Sequence, residues 1–148
     1  MDIQHILWPT DLTSVATRAL PAVISLAERY GARVSVLHVQ EDINRYEVQA
    51  AQLSEEQDDR LRDRVNEEVL QHLDQICVEL GARCGQYDRH VLMGEPATVI
   101  GEFAKREQVD LIVMATRGQG AMKRLAFGSV TDEVLQSGQA PVLAVPAG

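Results

Sequence analysis

Short runs of apolar, often β-branched residues alternate along this chain with longer stretches in which apolar residues recur every three or four positions. The first pattern reads as a buried strand, the second as an amphipathic helix. HILWP at residues 5–9 predicts a strand. Residues 13–30 carry Val15, Ala16, Ala19, Leu20, Val23, Ile24, Leu26 and Ala27 at helical spacing. Thr13 or Ser14 can cap that helix, and Gly31 follows its end. Pro21 lies inside the pattern and removes one helical bond, so the helix should bend or begin a new turn there. RVSVLHV at residues 33–39 predicts the second strand, and the polar, aperiodic residues 41–53 predict a loop. Ser54 and Gln57 have the spacing of a capping box. They open a long helix to Leu80, with Leu61, Val65, Val69, Leu73, Ile76 and Leu80 on one stripe and Gly81 as its stop. A weaker strand over 86–92 closes at Gly94, and Pro96 suits the first turn of a helix running to about Glu107. DLIVM at 110–114, a short helix over 129–136 and PVLAV at 141–145 complete the pattern.

Strands and helices therefore alternate from end to end, which predicts an α/β fold with a mostly parallel sheet and helices on both faces. The length of 148 residues fits one domain, residues 1–148. In such sheets ligands sit beyond the C-terminal strand ends, where the strand order reverses. Two places qualify: residues 9–11 after the first strand, and the loop 115–129 after the fourth.

Composition narrows the partners. Fourteen basic against 22 acidic side chains leave a net charge of −8, which disfavours nucleic acid or an anionic membrane surface. It does not disfavour a small anion, because backbone N–H groups can build a phosphate site inside an acidic protein. Asp2, Gln4 and His5 interrupt any leading apolar run, and nothing approaches the ~18 apolar residues of a membrane span, so the cytoplasm is the expected compartment. Cys77 and Cys84 are expected to be reduced, partly buried thiols there. His5, His72 and His90 show no metal-ligand spacing with either cysteine.

The candidate chemistry concentrates in residues 114–130, MATRGQGAMKRLAFGSV. This segment leaves an apolar strand and enters a helix. It carries Gly118, Gly120 and Gly128, and three cations, Arg117, Lys123 and Arg124. Glycines allow a sharp turn and close backbone approach, and Gly128-Ser129 would present free N–H groups at a helix start. The plainer alternative is a long loop whose glycines only turn the chain, with Ser129 and Asp132 as a capping box. Asp11 is either a ligand group or a cap. His38, inside an apolar strand, reads as a packed core histidine rather than a ligand. Lys123 and Arg124 either reach a terminal phosphate or form a solvated cluster.

This segment resembles the nucleotide motif of the universal stress protein family, G-x2-G-x9-G-[ST]. Here it runs from Ala115 through Gly118 to Gly128-Ser129: the spacing is kept, and alanine replaces the first glycine. ILWPTD at 6–11, VLHV at 36–39, GEPA at 94–97, DLIVM at 110–114 and PVLAV at 141–145 also match. Only residues 40–60 carry no resemblance. The resemblance implies an open, Rossmann-like five-stranded parallel sheet of order 3-2-1-4-5 with an ATP site at its strand ends. By position, Pro9, Thr10 and Asp11 would meet the adenosine, and the backbone of Val39 would read adenine. Met114, Ala115, Arg117 and Gly118 would line the ribose and phosphates, and Gly128, Ser129 and Val130 would grip the phosphates. ADP or AMP are alternatives to ATP, with Mg2+ or Mn2+ accompanying the nucleotide. The methyl of Ala115 either crowds the ligand or is harmless, if the backbone there is extended.

The expected function is a nucleotide-binding, stress-response regulatory module acting on a protein partner that the sequence does not name. It is not expected to be an enzyme beyond very slow ATP hydrolysis. The P-loop spacing G-x4-G-K-[ST] and a Ser/His/Asp set are not evident. The alternative is a structural dimer of the same fold that binds no nucleotide. In the implied order the last strand, from Pro141 to Val145, is an edge, apolar and uncharged, which predicts a homodimer joined through it.

Overall fold

The computed structural model describes residues 1–41, 54–116 and 126–146. The loop expected over 41–53, and Arg117, Gly118, Gly120, Lys123 and Arg124 of the candidate motif, lie almost wholly outside the described residues.

Five parallel strands form one sheet in the order β3-β2-β1-β4-β5: β1 His5–Pro9, β2 Arg33–Gln40, β3 Tyr87–Met93, β4 Leu111–Thr116 and β5 Val142–Pro146. β1 and β4 are covered on both faces, as their unbroken apolar runs require. Alternation along them splits the core in two. Ile6, Trp8, Val34, Val36, Val113 and Ala115 face α2 (Leu20–Tyr30), α3 (Glu55–Ile76) and α4 (Val78–Cys84). Leu7, Leu37, Ile112 and Met114 face α5 (Pro96–Arg106) and α6 (Ala126–Ser137).

Several boundaries depart from the sequence pattern, most of the strand ends by a residue and the following by more. The run over 13–30 is two helices, α1 (Ser14–Thr17) and α2, and Pro21 sits in the first turn of α2, where its missing N–H costs nothing. Gly31 caps α2 at φ 62°, a left-handed position that suits glycine. The long helix breaks at Cys77, and α4 follows, ending at Gly85. Gly81 is therefore no stop: a Cβ there would lie 3.3 Å from the Tyr87 ring, so this glycine lets α4 pack on β3. The stripe also fails at its start. Leu73 and Leu80 are buried, whereas Leu61 is exposed. β4 runs on to Thr116, and α6 begins at Ala126, earlier than the expected 129. Ser54 and Gln57 do form the expected capping box.

Both cysteines are free thiols. Cys77 is buried, and burial pushes its pKa up to about 12, which disfavours the reactive thiolate. No helix among the described residues is long and apolar enough to cross a membrane.

Candidate functional site

β1 is the central strand, and its C-terminal end is where the strand order reverses. Pro9 and Thr10 are buried there. All of Thr10's polar groups are engaged. Its N–H donates to Leu37 C=O at 2.9 Å, its Oγ1 accepts from Leu12 N–H at 3.1 Å, and its carbonyl accepts from His38 Nδ1 at 2.9 Å. The turn that follows is strained: Leu12 has φ 68°, the left-handed region that a leucine rarely adopts. Asp11 Oδ1 accepts from Thr13 N–H at 2.9 Å and also from the Thr13 hydroxyl. Thr13 itself caps α1. Asp11 thus braces the turn rather than capping the helix, and its Oδ2 has no donor among the described residues.

β2 continues past the end of β1. The last bridge between them is Pro9 to Leu37, and Val39 lies two residues beyond it. The Val39 side chain packs on the second core cluster, so only its backbone is offered toward the strand end. His38 is half-buried and hydrogen-bonded, neither a fully packed core histidine nor a free ligand group.

On the other side of β1, Met114 is fully buried, and its side chain belongs to the core below α5 and α6. Ala115 is 2% exposed, lies in regular strand opposite Val145, and belongs to the same buried core cluster as Trp8. The backbone at Ala115 is thus ordinary extended strand, and the side chain is buried. The Ala115 carbonyl accepts from the Thr131 hydroxyl at 3.3 Å, which pins the start of α6 to the end of β4. Val130 is buried in the second cluster and Ser129 is exposed. With α6 described from Ala126, Gly128 and Ser129 are its third and fourth described residues. This position also rules out Ser129 as a helix cap, so it makes no capping box with Asp132.

The structure thus brings Pro9, Thr10, Asp11, Val39, Met114, Ala115, Gly128, Ser129 and Val130 to neighbouring strand ends and the α6 start. Thr13, His38 and Thr131 hold that arrangement together. Sequence pattern missed Thr13 and Thr131 as site supports, because a threonine on a short helix looks the same whether or not its hydroxyl meets another element.

The opposite, N-terminal end of the sheet holds a polar cleft of about 690 Å³ lined by Gln4, His5, Arg33, Glu107 and Asp110 among others. His5 is buried there, with Nε2 2.7 Å from Ser35 Oγ and Nδ1 3.2 Å from Glu107 C=O. Burial lowers its pKa, with the Arg33 charge adding to that, while the Glu107 bond opposes it. Asp110 Oδ2 accepts the N–H groups of Gln4 and His5, each at 2.9 Å. These groups satisfy one another, so this end reads as a structural tie rather than a ligand site. Among the described residues no cluster of three His, Cys, Asp or Glu side chains is placed to hold a metal.

The model of the universal stress protein family matches residues 2–146. The universal stress protein MJ0531 of Methanocaldococcus jannaschii is 31% identical over 142 residues, covering 96% of this chain and 81% of that protein. The solved structure of MJ0577, a universal stress protein of the same organism, superposes with a TM-score of 0.79 at 29% identity and covers 99% of this chain and 97% of that one. An Archaeoglobus fulgidus universal stress protein, solved in complex with dAMP, has a TM-score of 0.67 at 21% identity, covering 98% of this chain and 99% of that one. That likeness bears on the fold.

Proposed function

The chain belongs to the universal stress protein family, and from that premise we propose that it is an ATP-binding regulatory module of the stress response. The carrying observation is the placement of the spaced motif. It begins on β4 beside the central strand and ends near the described start of α6, and its one departure, Ala115, has its side chain buried in the core. A relative that was solved with dAMP makes an adenine nucleotide chemically reasonable for this fold.

In this reading the Val39 backbone pairs with the adenine edge, and Asp11 accepts from a ribose hydroxyl through Oδ2, which has no donor among the described residues. Pro9 and Thr10 form the floor under the adenosine. Met114 and Ala115 contribute backbone only, since both side chains are buried. Arg117 and Gly118 follow toward the phosphates, and Gly128, Ser129 and Val130 offer the α6 start, where the helix dipole and free N–H groups favour negative charge. Mg2+ or Mn2+ would bridge phosphate oxygens and offset their charge.

The module binds and does not turn over at an enzyme's pace. Asp11 is the one carboxylate at the described part of the site, and one of its oxygens is committed to Thr13. Binding without a group to orient water does not lower the hydrolytic barrier. Signalling would pass through a homodimer joined at β5. That edge strand carries no charged residue, whereas the other edge, β3, carries Asp88 and Arg89.

Isothermal titration with Mg-ATP, ADP and AMP tests the reading. We expect saturable heat for ATP, with turnover far below the roughly 1–1000 per second of ordinary enzymes. No heat with any of the three at millimolar concentration would overturn it.

A further inference from the structure

In a parallel ladder every second residue turns both its N–H and its C=O toward the same neighbouring strand. Leu37 turns toward β1, since its carbonyl accepts from Thr10 N–H at 2.9 Å. Gln40 turns toward β3, since its carbonyl accepts from Gly94 N–H at 2.9 Å. Val39 therefore turns the way Leu37 does, toward β1. One further rung would join Val39 N–H to the Thr10 carbonyl. That rung is not made among the described residues: the Thr10 carbonyl accepts from His38 Nδ1 instead. A carbonyl has no proton to give, so Nδ1 carries one. With the ring seated there, and the chain turning away at Leu12, the ladder stops at Leu37.

We infer that His38 is a positioning residue: by seating its ring on the Thr10 carbonyl, it leaves the Val39 N–H with no partner among the described residues and open to a ligand at the end of the sheet. The imidazole replaces the backbone donor on that carbonyl, so the opening costs no buried acceptor its partner. The same bond ties β2 to the turn that carries Asp11, which is already held in shape by Thr10 Oγ1 and Thr13. One histidine thus sets both the base-reading edge and the loop beside it. The part of this inference that concerns the ligand rests on the nucleotide reading; the part that concerns the sheet does not.

Two readouts test it on the full chain and on His38→Leu and His38→Asn, each checked for folding by thermal melt. Long-range proton–nitrogen spectra of the free protein should place the proton on His38 Nδ1. The Val39 amide should exchange with solvent at least about tenfold faster than that of Leu37, and in His38→Leu it should slow by about tenfold as the extra rung closes. Adenosine and ATP should both bind about five- to twentyfold more weakly to His38→Leu, the worth of one hydrogen bond, with His38→Asn restoring both to within about threefold through its own N–H donor. A wild-type Val39 amide as protected as Leu37, or exchange unchanged in His38→Leu, overturns the role in the sheet. A wild type that binds neither ligand overturns the nucleotide reading, and the exchange data still decide the rest. Ligand binding that is intact in His38→Leu overturns the role in recognition.

Discussion

Ala115 is expected to matter to the fold and not to a ligand. Its methyl is buried in the same core cluster as Trp8, the chain's only tryptophan, and its carbonyl is held by Thr131. Restoring the glycine of the family motif therefore removes a buried methyl and loosens a strand. We expect Ala115→Gly to cost about 1–2 kcal/mol of stability, summing one lost buried methyl group and the entropy of glycine in a strand. We expect it to leave ATP affinity within about threefold. Urea melts followed by Trp8 fluorescence, beside titration calorimetry, check both; a large gain in affinity would mean that the methyl does crowd the ligand. His5 has a different signature. Its folded pKa lies below the ordinary 6.5, chiefly because burial disfavours the imidazolium. Above 6.5 both folded and unfolded chains hold it neutral. As pH falls below 6.5, the unfolded chain takes up the proton first, and stability drops until the folded pKa is passed. Urea midpoints should thus fall between pH 7 and pH 5, and His5→Gln should flatten that slope; an equal slope in the variant would place the effect elsewhere. Neither role was visible in sequence, where Ala115 stood in for a motif glycine with its effect left open and His5 was the first residue of a strand.

Among the elements, strands were more legible than helix ends. The β-branched run over 33–39 and the apolar run over 110–114 have no helical alternative, and both are strands. Helix ends depend on tertiary contacts. Gly81 looks like a stop, yet it serves Tyr87, and the chain breaks instead at Cys77, which carries no local signal. The start of α6 at Ala126 was missed because Ser129 mimics a cap. Gly94 was read correctly as the end of β3. Its φ of 144° excludes other residues, and a Cβ there would sit 2.7 Å from Val99. At β5 the expected edge is an edge, with Leu143 39% exposed beside Ala144. An uncovered apolar edge invites pairing with a second copy, and one lysine blocks such pairing. Sedimentation should find a wild-type dimer and a Leu143→Lys monomer. A monomeric wild type refutes the dimer, and a dimer that survives the lysine refutes this interface.

At the scale of the whole molecule, the alternation of two hydrophobic periods carried the α/β class, and the family resemblance carried the strand order 3-2-1-4-5, which the sheet has. The position of the proposed site follows from that order, because the ends of β2, β1 and β4 meet where the connections diverge. What sequence could not convey is which groups at those ends are already spent. Thr10 is consumed by three hydrogen bonds, Met114 and Val130 are core side chains, and the Val39 backbone is left over. The acidic charge of the chain does not conflict with a phosphate ligand, since the groups offered are backbone N–H groups at a helix start. The most direct test is a Mg-ATP titration of the isotope-labelled protein followed amide by amide. The account predicts shifts confined to Thr10, Asp11, Val39, Gly118 and Gly128 through Val130, with Gln4, Arg33 and Gln108 at the far end of the sheet unmoved. Shifts centred on that far end, or none at millimolar nucleotide, would contradict it.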